Sequence, residues 1–177
     1  MNSIFPFCYS SVFFLVLSTI SVYIVKQVSD TQKSEKKIFS LQENIQNDKF
    51  SYQDKYKLGQ LYLKKKLYNK AILLFREALK IWDYNDKIGL GSYYNTLGFT
   101  YFKLKQYDIA IYYYKIALKI IPDYILVLRN LAFTYERLGL YEKAFEVYNT
   151  ALDWHPTNKI VLFRMILIRR KVTLKKY

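Results

Sequence analysis

One cysteine and one histidine in 177 residues exclude a disulfide framework and the usual clusters of metal ligands. Five glycines and three prolines leave little material for turns, which favours helices over a sandwich or barrel. Catalytic groupings are equally scarce: there is no Cys–His pair, no close pair of carboxylates beside a base and no phosphate-cradling glycine loop. His155 precedes Pro156 at a helix end, where the helix dipole favours a cation without any chemistry. An enzyme is therefore not expected, nor is any cofactor, metal or small-molecule substrate. Acidic residues are half as common as basic ones, 14 against 28, for a net charge of +14. Such a balance draws anionic partners. The helices nevertheless show none of the groove-reading motifs of nucleic-acid proteins, so nucleic acid is not expected among them.

What the chain does contain begins with a long apolar run. From Ile4 to Val25, "IFPFCYSSVFFLVLSTISVYIV" carries no charge. As a helix it would reach roughly 33 Å, enough for a hydrocarbon slab of about 30 Å. Pro6 falls in its first turn, where a missing N–H costs little, and Cys8 reads as a small apolar filler. A cleaved signal peptide would want a basic amino-terminal region, which is absent, and offers only Thr19-Ile20-Ser21 as a cleavage site. Residues 1–25 are thus expected to stay as a transmembrane anchor, with the membrane engaged through 4–25. Lys26, Lys33, Lys36 and Lys37 follow the run and no basic residue precedes it, which predicts that the carboxyl-terminal part remains on the side of synthesis. Residues 26–50 are polar, with sparse apolar positions at Ile38, Leu41 and Ile45, and read as a partly helical spacer.

The remainder repeats. "LGQLYLKKKLYNKAILLFREAL" from Leu58, "LGFTYFKLKQYDIAIYYYKIAL" from Leu97 and "LAFTYERLGLYEKAFEVYNTAL" from Leu131 align on one pattern. Each has Tyr at the fifth and eleventh places, Ala at the fourteenth, an aromatic at the eighteenth and Ala-Leu at the end. The second and third segments start 34 residues apart; the first and second start 39 apart, a five-residue insertion around "DKIGL" (Asp86 to Leu90) that lengthens the exit from the first. The small residues Gly59, Gly98 and Ala132, with the paired alanines 71/78, 110/117 and 144/151, would let two helices approach closely. Tyr62/Phe75, Tyr101/Tyr114 and Tyr135/Tyr148 would fill the space between. Most of the 19 tyrosines are accordingly read as packing residues.

A period of 34 with this pattern resembles the tetratricopeptide repeat, a helical hairpin that stacks into a superhelix. The resemblance implies an all-α fold: a transmembrane helix, then a right-handed solenoid of three hairpins, about 52–85, 91–124 and 125–158, and a capping helix, 159–177, within a domain spanning 51–177. In that family the second, fifth, ninth and twelfth side chains of each repeat face a concave surface. Carried onto this chain, these are Gln53, Tyr56, Gln60 and Leu63; Ser92, Asn95, Phe99 and Phe102; and Leu126, Arg129, Phe133 and Glu136. The implied groove is aromatic and apolar, with a few amides and one Arg–Glu pair, and suits an extended or helical protein segment. The basic clamp by which some relatives grip a chaperone's terminal carboxylate is not expected. Tyr56, Gln60, Leu126 and Asn130 occupy its places, and none offers a cationic fork.

The last segment, "NKIVLFRMILIRRKVTLKKY", carries two apolar stripes when read as a helix. Val161, Met165, Ile168 and Val172 form one; Ile160, Phe163, Leu167 and Leu174 form the other, with Arg164, Lys171 and Lys175 between. One stripe can cover the third repeat. A plain cap should be polar outside, so the second leaves open a contact with a partner, a membrane surface or a second copy. Residues 159–177 hold seven basic and no acidic side chains, and Arg164, Arg169, Arg170 and Lys171 make a basic surface.

One anchor, a short spacer, three repeats and a basic closing helix together resemble the photosystem I assembly family of plastids and cyanobacteria, specified by hypothetical chloroplast reading frame thirty-seven. Usage rich in Ile, Lys, Tyr and Asn suits the A+T-rich gene of a red-algal plastid. The resemblance implies a single-pass thylakoid protein with its repeats in the stroma, whose partners are subunits or assembly intermediates of photosystem I. A membrane receptor for chaperones or precursor proteins, or a bacterial envelope assembly scaffold, would use the same architecture.

Overall fold

In a computed structural model the chain is described over residues 4–47 and 51–174, and the side chains of residues 4–6, 8 and 172–174 lie outside that description, Cys8, Val172 and Leu174 among them. Among the described residues there are eight helices and no strand: α1 (Ile4–Gln46), α2 (Tyr52–Lys64), α3 (Tyr68–Lys80), α4 (Lys87–Lys103), α5 (Tyr107–Ile120), α6 (Ile125–Arg137), α7 (Tyr141–Trp154) and α8 (Lys159–Leu174). The chain divides into two units, residues 1–49 and 50–177.

Among its described residues the first unit has one helix. Helix α1 runs 43 residues without a break, so the uncharged run and most of the polar segment after it share a single rod. It is long and apolar enough to cross a membrane. Phe13, Phe14, Leu15, Val16 and Leu17 are all exposed, and five consecutive residues exhaust every direction around a helix.

The second unit is a row of hairpins, α2–α3, α4–α5 and α6–α7, followed by α8. The same turn closes each hairpin. The N–H groups of Leu67, Gln106 and Leu140 donate back to the carbonyls of Tyr62, Tyr101 and Tyr135 at 2.9–3.0 Å. Those of Lys66, Lys105 and Gly139 donate to Leu63, Phe102 and Glu136 at 3.0 Å. This double bond pattern satisfies carbonyls that the helix end would otherwise orphan, and it needs a left-handed residue. That residue is Gly139 in the third hairpin (φ 72°), but Lys66 and Lys105 in the others (φ 61° each). A side chain there costs about 1–2 kcal/mol relative to the right-handed region.

Within each hairpin the small residues set the approach. A Cβ built on Gly59 would lie 2.5 Å from the Phe75 ring, and one on Gly98 would lie 2.8 Å from the Tyr114 ring. Ala71, Ala78, Ala110, Ala117, Ala144 and Ala151 are completely buried opposite them. Phe75, Tyr114 and Tyr148 fill the seams, and full burial of each ring stabilises the fold by roughly 1.5–3 kcal/mol. Between hairpins, Tyr93 is wholly buried and donates its hydroxyl to the carbonyl of Phe75 at 3.1 Å. Thr100 and Thr134 are equally buried, their hydroxyls satisfied by the carbonyls of Thr96 and Asn130 one turn back.

Most of the five-residue insertion goes into a helix, although the connection 81–86 is also two residues longer than 121–124 or 155–158. Asp86 accepts from the Gly89 N–H at 2.8 Å, and this cap converts Lys87–Leu90 into an added first turn of α4, which has 17 residues against 13 for α2 and α6.

Candidate partner-binding surface

The first helices of the hairpins touch one another, α2 with α4 and α4 with α6, whereas the second helices stand behind them. The side chains expected to face a groove belong to these first helices, and their placements differ. Tyr56 joins two hairpins: its hydroxyl shares a 2.8 Å hydrogen bond with the Thr96 hydroxyl, and its ring lies against Phe75, Trp82 and Tyr93. Asn95 is buried and accepts from the Asn130 amide at 3.0 Å, tying α4 to α6. Gln60 and Leu63 are half-buried on α2.

Phe99, Phe102 and Phe133 are half-buried on α4 and α6. Phe102 and Phe133 meet with ring centroids 5.5 Å apart, bridging the two hairpins. Lys103 lies 5.0 Å over Phe99, and the Arg164 guanidinium lies 4.7 Å over Phe133. The result is an aromatic strip edged by cations, able to take apolar side chains of a polypeptide and to attract acidic ones.

The expected Arg–Glu pair within α6 does not form. Arg129 and Glu136 are seven residues apart, which separates them by about 10 Å along the helix. Glu136 instead pairs with Arg164 of α8 at 3.4 Å and accepts from the Tyr148 hydroxyl at 2.6 Å. Burial first, and then this bond to a carboxylate, push the Tyr148 phenol well above its ordinary range. Arg129 is half-buried and near enough to Tyr148 to act on it electrostatically.

The expected basic surface divides in two. Arg164 belongs to the strip just described; Arg169, Arg170 and Lys171 are exposed on α8, where Lys171 lies 4.9 Å over the Tyr141 ring. The Asn95–Asn130 bridge and the Arg164–Phe133–Glu136 contacts had no signal in the repeat pattern. The roles of Tyr93 and Val127 could have been found there, since they share the third place of successive repeats.

Three stacked hairpins with a row of first helices on one side define a tetratricopeptide-repeat protein, an architecture that serves as a protein-interaction scaffold. The tetratricopeptide-repeat family matches residues 54–123 and again 128–158. More narrowly, the chain belongs to the ycf37 family. It is 43% identical over 131 residues to the ycf37 protein of Guillardia theta, covering 74% of each chain. It is 27% identical to the chloroplastic tetratricopeptide-repeat protein PYG7 of Arabidopsis thaliana, over 87% of this chain and 51% of that one. Among solved structures, MamA superimposes with a TM-score of 0.70 at 20% identity, covering 89% of this chain and 84% of that one, which speaks to the fold alone.

Proposed function

We propose that this protein is a membrane-anchored scaffold that holds subunits of photosystem I while that complex is assembled or maintained. Residues 4–25 would span the thylakoid membrane, residues 26–50 would act as spacer, and the repeats of 51–177 would stand in the stroma. The observation that carries the scaffold reading is the half-buried aromatic strip Phe99–Phe102–Phe133, flanked by Arg129 and Arg164 on helices packed into the stack. The anchor adds no contact of its own. It confines the strip to two dimensions beside newly inserted subunits and so raises their effective concentration. A chloroplastic relative and an apolar helix of spanning length support a plastid membrane address. The choice of photosystem I rests on the family resemblance.

Affinity isolation of the tagged protein from detergent-solubilised membranes tests this directly. Co-isolation of photosystem I subunits, lost with Phe102→Asp, is the expected result. Recovery of heat-shock chaperones or translocase components in their place would favour a receptor instead. Deleting the gene should lower the ratio of photosystem I to photosystem II, and an unchanged ratio under both stress and normal growth would overturn the assembly role.

A further inference from the structure

Helix α8 docks on the hairpin before it as α4 and α6 do. Tyr93 and Thr100 on α4, and Val127 and Thr134 on α6, are the third and tenth residues of their repeats and are wholly buried. The same places in α8 hold Val161 and Ile168, buried as completely. By register, α8 is therefore the first helix of a fourth hairpin. Its other face differs. In α6, on which α7 packs, Leu128, Leu131, Ala132 and Tyr135 are all buried. Thirty-four residues on, Leu162 and Ile166 are exposed, and among the described residues no helix covers them. The face of Leu162 and Ile166 is the one that three hairpins in this molecule each close with a helix; Phe163 and Leu167, in the places of Arg129 and Phe133, are exposed beside it toward the groove side.

From this we infer that the open face of α8 binds an acidic amphipathic helix of another protein, which completes the fourth hairpin in trans. Two features choose the occupant. Ile166 stands where the hairpins have Gly or Ala, so the bound helix sits farther out than α7 does on α6. Lys159 and Arg170 project from the same exposed arc, and the segment from 159 to 177 has seven basic residues and no acidic one. A second copy of α8 would bring like charges together, whereas an acidic helix offsets them. The face centred on Leu162 and Ile166 adjoins the aromatic strip at Arg164 but is a different side of the stack, and the inference does not depend on photosystem I.

The test uses the full chain in nanodiscs of neutral phospholipid and a fluorescent 18-residue amphipathic helical peptide with a glutamate-rich polar face. Its lysine-for-glutamate twin serves as the counter-probe. Saturable binding of the acidic peptide is expected, at least tenfold tighter than the twin. Ile166→Asp should weaken it at least tenfold, and Arg170→Glu should narrow or reverse the preference between the two peptides. Because both residues are exposed, circular dichroism and melting should be unchanged; Leu73→Asp, at an exposed apolar site on α3, should leave binding intact. No binding, or binding indifferent to both variants, overturns the inference. So does a dimer in light scattering that Ile166→Asp dissolves, which would assign the face to a second copy. Binding only to phosphatidylglycerol vesicles, lost in Ile166→Asp, would assign it to lipid and overturn it likewise.

Discussion

Ala132 on α6 and Ile166 on α8 hold the same place in helices 34 residues apart, yet the first is wholly buried and the second is 61% exposed. Both helices pack on the preceding hairpin through equivalent residues, so the difference arises on their opposite faces. Helix α7 packs on α6, and the methyl of Ala132 is wholly buried there. Over α8 there is room for a branched side chain, because no second helix lies there among the described residues. Closure by a second helix is thus what turns a small residue from a matter of composition into a requirement of packing.

The largest expected effect sets these two sites against each other. Ala132→Asp should cost upward of about 3 kcal/mol, by burying an unpaired charge and overfilling the seam, whereas Ile166→Asp should stay within about 0.5 kcal/mol. Chemical denaturation of both variants measures this, and equal losses would show that α8 is closed after all. Next comes Gly98→Ala. A Cβ there lies 2.8 Å from the Tyr114 ring and 3.2 Å from the carbonyl of Ala110, so a loss of about 1–3 kcal/mol is expected. The third hairpin already has alanine at this place.

An alkaline titration probes the closed seams together. Burial raises the phenols of Tyr93, Tyr114 and Tyr148 above the ordinary 10.0, so the folded state favours their neutral form. Their contribution to stability is complete below pH 10 and falls as pH rises beyond it. Tyrosinate absorbance from these three should therefore appear together with loss of helical dichroism; titration at an ordinary pH in an intact fold would contradict their burial. The smallest effect concerns the turns. Lys66→Gly and Lys105→Gly should each stabilise by about 0.5–1 kcal/mol, since glycine tolerates the left-handed conformation that Gly139 already adopts. Thermal melts would show a rise of a few degrees, and no rise would mean that the lysine side chains recover the cost locally.

Much of the fold is legible in the sequence because the repeat writes the same packing rule three times. Alanines at 71, 110 and 144 and aromatics at 75, 114 and 148 are buried wherever the period places them. The insertion before α4 is not legible in that way, because a capping aspartate and four helix-compatible residues resemble a loop until Asp86 is seen to hold the Gly89 N–H. The aromatic strip is legible residue by residue, but its charges are not. Glu136 can be assigned its cationic partner only once α8 brings Arg164 to it, 28 residues away.

The sequence alone determined the period, the places of the small and aromatic residues, and an amino-terminal run apolar on every side, since each depends on side-chain volume and polarity at fixed spacing along one chain. Only the tertiary structure decided that Tyr56 and Asn95 bind neighbouring hairpins, that Glu136 turns to Arg164, and that one face of α8 stays open. Those outcomes depend on which helix ends up beside which, and a hydrogen bond or a covered face exists only where a second element arrives within a few ångströms of the first.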